Sequence, residues 1–242
     1  MSTCRWRAAS LGGYLLLGGL LLALAWSLDL GPAAWADLRM SWPLLAVDLG
    51  LSLLRTLAAC LTAWSGACLV GYLLWARPIL YRLFLPVVNF VRAIPPLAWL
   101  PFAIFWFGLG EAPVFFILVV ALFFPCLVAA RDAFAQIDRD FVDEARVLGA
   151  GGWRLFARVM LPLALPALLT LLRVAWALGW GTVVAAEMLG VHSGMGFRLL
   201  DFRFLVQYPP MLVYLVVMGL VGIGVDRILR LLAAIAGRQR GE

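Results

Sequence analysis

Runs of about twenty apolar residues recur along the chain, separated by short stretches rich in arginine, proline and glycine. A run of that length, wound as a helix, crosses the hydrocarbon core of a bilayer. Hydrophobic residues make up 65% of the 242 positions and charged residues 13%, and the mean hydropathy is +1.01. Soluble domains are about half apolar and a quarter charged, so an ordinary globular fold is excluded. No polar stretch is long enough to build a separate soluble domain, so one all-α membrane domain fills the chain.

Six spans are expected, at about 11–28, 48–75, 84–108, 113–130, 166–189 and 210–232. The first follows Arg5 and Arg7 as a signal peptide would, but its apolar core from Leu11 to Leu28 exceeds the roughly 7–15 residues of a signal h-region. It reads as a retained helix. With the N-terminus inside, thirteen arginines fall on inner segments and three (Arg39, Arg198, Arg203) on outer ones. The positive-inside rule then places both termini in the cytoplasm.

The net charge of +6 does not indicate nucleic acid, because the arginines cluster at the ends of apolar segments. All nineteen cationic residues are arginine, and without lysine the chain cannot carry a nucleotide-binding P-loop. Cys4, Cys60, Cys68 and Cys126 show no metal-ligand spacing, and three lie in apolar runs, so they read as packing residues. Nothing in the sequence calls for a cofactor or a metal.

Two spans have an informative texture. In the second, Ala59, Ala63, Ala67 and Gly71 recur every four residues and line one face with small side chains, which lets a neighbouring backbone approach. The third contains Pro86, Pro95, Pro96 and Pro101, so it is expected to be kinked or to start late.

The polar insert at 138–162 departs from this pattern. Phe141, Ala145 and Leu148 give a short helix an apolar stripe, and Asp140, Asp143 and Glu144 sit in its first turn, where carboxylates complement the helix dipole. Gly149 and Gly151-Gly152 end it. A second short helix is expected, with Trp153, Phe156 and Met160 on one face and Arg154 and Arg158 on the other, stopped by Pro162 and Pro166.

Asp143-Glu144-Ala145-x-x-x-Gly149 followed by Val159-x-Leu161-Pro162 resembles the EAA motif of binding-protein-dependent ABC importer permeases. Further matches are Val91 to Pro101, Phe107-Gly-Leu-Gly110, Ala186-Glu-Met-Leu-Gly190, Ser193-Gly-Met-Gly196 and Asp226-Arg227. Together they resemble the subgroup importing nitrate, sulfonates, taurine, bicarbonate or thiamine-precursor pyrimidines. The sequence departs from the motif in having Asp143 for the first Glu and Glu144 for the usual first Ala. The resemblance implies a type I ABC importer transmembrane fold, working as a homodimer in a bacterial inner membrane. It makes Asp143, Glu144, Ala145, Arg146, Leu148, Gly149, Leu161 and Pro162 a coupling helix and its flank, docking two cytoplasmic ATP-binding subunits. A periplasmic or lipid-anchored binding protein delivers the solute, and ATP hydrolysis belongs to the separate subunits, so the chain is a transporter component and not an enzyme. The implied division is 1–47 for a helix and external loop, 48–232 for the transmembrane domain and 233–242 for a tail.

Glu187 lies near the outer end of the fifth span, where an ionisable group is a candidate for the translocation path or outer gate. Arg173, about fourteen residues or roughly 21 Å earlier along the helix, cannot pair with it and is placed to snorkel inward. Arg55 shares a face with Asp48 seven residues before it and reaches an interface. His192, in the outer loop, reads as a surface residue, and Gly194-Met-Gly196 as an external turn for a binding protein. A secondary transporter is the alternative, but internal repeats and midplane charges of that class are not evident. A membrane-embedded enzyme lacks a nucleophile–base pair.

Overall fold

The computed structural model describes residues 42–238, with Gly19 the one described position before them. The expected first span and most of the first segment therefore lie outside the described residues. The rest is helical. Helix α1 is Trp42–Ala76 and α2 is Pro78–Ala93. A short 3-10 turn at Pro96–Trp99 leads into α3, Leu100–Phe107, and α4 is Glu111–Ala135. Helix α5, Arg139–Val147, lies in the insert. Helix α6 runs Gly152–Gly190, α7 is Met195–Phe204 and α8 is Tyr208–Arg238.

Four of these, α1, α4, α6 and α8, are long and apolar enough to cross a membrane. The expected third span is instead two helices, α2 and the segment Pro96–Phe107, bent by 92°. Ile94 and Pro95 take extended backbone at the break. A residue before proline is pushed out of the helical region, and proline supplies no N–H to bridge the gap. Pro86, by contrast, stays inside α2.

Lipid is as apolar as leucine, so these helices are held by close packing and polar contacts rather than by escape from water. The small face of α1 provides the packing. Ala59, Ala63 and Ala67 have no exposed surface, and a methyl group added to Gly71 would sit 3.0 Å from the Arg131 backbone nitrogen of α4. Around this seam Leu118, Leu122, Cys60, Cys126, Trp176 and Val183 form the larger core. Indole N–H groups stitch helices together: Trp64 donates to the Leu168 carbonyl at 2.8 Å and Trp180 to that of Met218 at 3.0 Å.

A second core holds the insert against the spans. Cys68 and Tyr72 of α1 and Phe134 of α4 enclose Val142, Leu155, Phe156 and Met160. The Tyr72 ring lies 4.7 Å from that of Phe156, and its hydroxyl donates to the Gly152 carbonyl at 3.2 Å. Here the structure corrects the expected break before the fifth span. Pro162 and Pro166 are both inside α6, which begins at Gly152 and passes through a π-helical turn at Phe156–Met160. A wider turn accommodates Pro162, which has no N–H for the usual bond and would crowd the carbonyl of the preceding turn.

Candidate functional site

In the insert, Asp138 caps α5 by accepting from the Asp140 backbone N–H at 3.2 Å, a signal the acidic stretch had obscured. Of the expected stripe, Phe141 and Leu148 face outward and Ala145 is half-buried. Val142 is the buried residue, whereas Phe141 is 56% exposed and Val147 and Leu148 are each 87% exposed. Helical spacing explains this: Val142 looks toward the core, and Phe141 and Leu148 sit on a different flank. Asp143, Glu144 and Arg146 are exposed, Ala145 is half-buried, and Asp143 pairs with Arg146 at 3.2 Å. Gly149 closes the helix with φ +83°, the left-handed conformation that glycine adopts without strain. Leu161 and Pro162 lie within α6, directly after its π-helical turn. The insert thus presents apolar and acidic side chains outward while Val142 anchors it.

At the opposite end of the bundle, Asp48, Ser52 and Arg55 of α1 lie on one face and are all buried. Glu187, at the end of α6, has no exposed surface. Its carboxylate accepts from Arg55 Nη1 at 2.7 Å, from the Gly196 N–H at 2.9 Å and from the Ser52 hydroxyl, 2.8 Å from both oxygens. Ser52 Oγ in turn accepts from the Met195 N–H at 2.8 Å. Arg55 reaches further, to the Ser193 carbonyl and hydroxyl, each at 2.8 Å, and in a two-pronged contact to Glu111 at 2.6 and 2.5 Å. Asp48 accepts from the Gly194 N–H at 3.1 Å, Arg198 Nε at 3.0 Å and the Tyr214 hydroxyl at 3.0 Å.

This network joins α1, α4, α6, α7, α8 and the α6–α7 loop. Buried charges are tolerated when they are paired and hydrogen-bonded, as Asp48, Arg55 and Glu187 are. Burial by itself would lower the pKa of Arg198, on α7, but the hydrogen bond and charge of Asp48 outweigh it and raise the value, keeping the guanidinium charged. Gly194, with φ +102°, makes the loop fit: a methyl group there would stand 2.5 Å from both Arg55 Nη1 and Glu187 Oε1.

Several expectations change accordingly. Glu187 meets no solvent in this conformation. Arg55 faces its ion partners instead of an interface, and Gly194, Met195 and Gly196 are buried, so these three residues of the turn are directed inward. His192 is exposed, edge-on to Phe197 at 5.8 Å. Arg173 pairs with Asp226 of α8, which also accepts from Arg230 at 2.8 Å. Ser52, Glu111, Arg198 and Tyr214 were missed as network members. The i, i+4, i+7 spacing of Asp48, Ser52 and Arg55 within an apolar run was the available signal.

Residues 65–234 match the family described as the binding-protein-dependent transport system inner membrane component. The chain belongs to that family. A probable ABC transporter permease protein of Brucella melitensis is 37% identical over 183 residues, which are 76% of this chain and 74% of that protein. The taurine transport system permease protein TauC of Escherichia coli is 32% identical over 169 residues, 70% of this chain and 60% of that protein. Among solved structures, a chain of the MetNI methionine ABC transporter in inward-facing form superposes with a TM-score of 0.72 at 21% identity, covering 81% of this chain and 97% of its own. The fold is therefore that of a type I ABC importer transmembrane domain. The chain is a multi-pass inner membrane component of a transport system, and a permease.

Proposed function

We propose that this permease carries a small solute of the sulfonate, taurine or nitrate kind inward across the membrane, driven by ATP hydrolysed on separate subunits. Helix α5 is the coupling helix, with Asp143, Glu144, Ala145, Arg146, Leu148 and Gly149 meeting an ATP-binding subunit and Leu161 and Pro162 supporting its exit into α6. Two such subunits dock on two copies of the chain, a binding protein outside delivers the solute, and both termini are cytoplasmic. The division at 1–47, 48–232 and 233–242 goes with this reading. The solute class rests on the family resemblance and on the named taurine relative.

One observation carries the coupling assignment. Helix α5 is anchored by Val142 yet leaves Phe141, Val147 and Leu148 exposed beside Asp143 and Glu144. An apolar surface rimmed by charge, on a helix fastened from behind, suits a protein partner. ATP binding that closes the partner dimer would move α5 together with the start of α6 as one body, biasing the bundle between two packed states. Glu187 contributes at the outer gate by holding the helix ends together and does not contact the solute.

The test is a gentle detergent pull-down of the C-terminally tagged chain from its own membranes, read by quantitative mass spectrometry. An ATP-binding subunit recovered near one-to-one is the expected result. Its absence, under conditions that keep other ABC complexes whole, removes the coupling assignment.

A further inference from the structure

A cavity of about 380 Å³ lies behind the insert, between α5 and the adjoining ends of α1, α2 and α4. Arg131, Arg139 and Arg146 line it, with Asp143 as the carboxylate on its wall and Trp75 and Ala135 at its margin. Arg139, Val142 and Arg146 share one face of α5, so the helix turns two guanidinium groups toward the same space in which Val142 anchors it. Asp143 engages Arg146, and Asp132 engages Arg131 at 2.9 Å, so three cations stand against two carboxylates. Arg131 is only partly satisfied. Its guanidinium lies 4.2 Å over the Tyr81 ring, and its buried Nε–H has no acceptor. A buried donor without an acceptor is costly, so the charge of Arg131 is incompletely compensated within the chain.

We propose that this cavity binds a phosphate-bearing anion, the headgroup of an anionic phospholipid, which bridges the coupling helix to the ends of the spans. The neighbouring surface favours a lipid over free phosphate. Ile79 and Leu83 of α2 are 82% and 67% exposed beside Pro78, offering an apolar bed for acyl chains next to the basic cavity. Basic pockets between spans on the cytoplasmic side suit anionic headgroups. The inference rests on the reading that the insert faces the cytoplasm, where such lipids meet it.

The experiment uses the full-length chain alone in mild detergent, titrated with phosphatidylglycerol, phosphatidylcholine or inorganic phosphate. Bound lipid is counted by native mass spectrometry and phosphate by the thermal unfolding midpoint. Phosphatidylglycerol should bind more tightly than phosphatidylcholine. Each basic side chain near an anionic surface is worth roughly fivefold in affinity, so R131Q/R139Q should weaken binding about 25-fold. Ala135→Phe, which keeps every charge but fills the space, should also lose the lipid. R154Q/R158Q, which removes two exposed arginines outside the cavity, should retain it. A midpoint raised by inorganic phosphate in the wild type but not in R131Q/R139Q, without phosphatidylglycerol binding, supports the anion site and names free phosphate as its occupant. Equal binding of the two lipids with no phosphate response overturns the proposal, as does equal loss in R154Q/R158Q. Because no ATP-binding subunit is present, failure here is distinct from failure of the pull-down.

Discussion

Arg55→Met would show how the permease tolerates charge inside its own bundle. In the wild type Arg55 is 8% exposed and Glu187 not at all, so neither can turn to water if the other is lost. Methionine keeps most of the volume and leaves Glu187 with two donors, Ser52 and the Gly196 N–H, and no counter-charge. Breaking one side of a buried pair costs about 3–5 kcal/mol. At roughly 2–4 °C per kcal/mol for a domain of this size, the midpoint should fall by about 6–20 °C. Glu111 also loses its partner, but its side chain is 65% exposed and can turn to water, so its own loss contributes about 1 kcal/mol or less. Glu111→Gln alone should therefore lower the midpoint by no more than about 4 °C. Adding Glu187→Gln to Arg55→Met removes the stranded charge and should recover part of the loss, leaving about 1–3 kcal/mol for hydrogen bonds that no longer match. The assay is thermal unfolding in one fixed detergent, completed as a double-mutant cycle. The reasoning is refuted if Glu111→Gln is as damaging as Arg55→Met, or if the double variant is no more stable than Arg55→Met.

Two glycines give independent checks. Gly194→Ala meets both a backbone conformation closed to other residues and the two 2.5 Å contacts with Arg55 and Glu187, and should destabilise by about 2–5 kcal/mol in the same assay; a change under about 1 kcal/mol would contradict the loop geometry. Gly149→Val meets the left-handed backbone alone, since nothing lies within 4 Å, and should cost about 1–3 kcal/mol locally. Its effect should appear as weakened recovery of the ATP-binding subunit or as ATP hydrolysis uncoupled from uptake, with the unfolding midpoint of the spans little moved; full assembly and coupled uptake would sink the coupling-helix assignment.

Features that depend on local chemistry were legible before the structure. Apolar length located α1, α4 and α8 to within about six residues and the end of α6 to within one, because spanning a bilayer demands it, but it missed the start of α6 by fourteen residues. The four-residue spacing of Ala59, Ala63, Ala67 and Gly71 marked the face that α4 packs against. Prolines near residue 95 marked a break, but not its 92° direction, which depends on what the two halves rest against. Helix α7 was readable from Met195, Leu199 and Phe202, all buried at helical spacing, yet a short amphipathic helix among longer apolar runs passes for a loop. The apolar stripe of α5 was correctly placed on a helix but its facing was left open, since periodicity states which residues share a side and not which side is covered.

The ion network marks the limit of sequence reading more sharply. Asp48, Arg55, Glu187 and Arg198 each stand out as a charge in or beside an apolar segment, but the partners lie 132 residues apart for Arg55 and Glu187 and 150 for Asp48 and Arg198. No local spacing relates them. Their meeting is a consequence of how closely α1 approaches its neighbours, because the charged residues share that helix with its small-residue face. Thr56 and Cys60 on α1 stand 3.3 and 3.2 Å from where a side chain on Gly179 would begin, so glycine there lets α6 seat closely against α1. That seating puts the end of α6 beside Ser52 and Arg55, and the Gly194 turn then brings its N–H groups onto the carboxylates. The pairing is thus encoded less in the charged residues than in the glycines and alanines that set the distance between them. A bulky residue at Gly179 should disturb the network without altering a single charge.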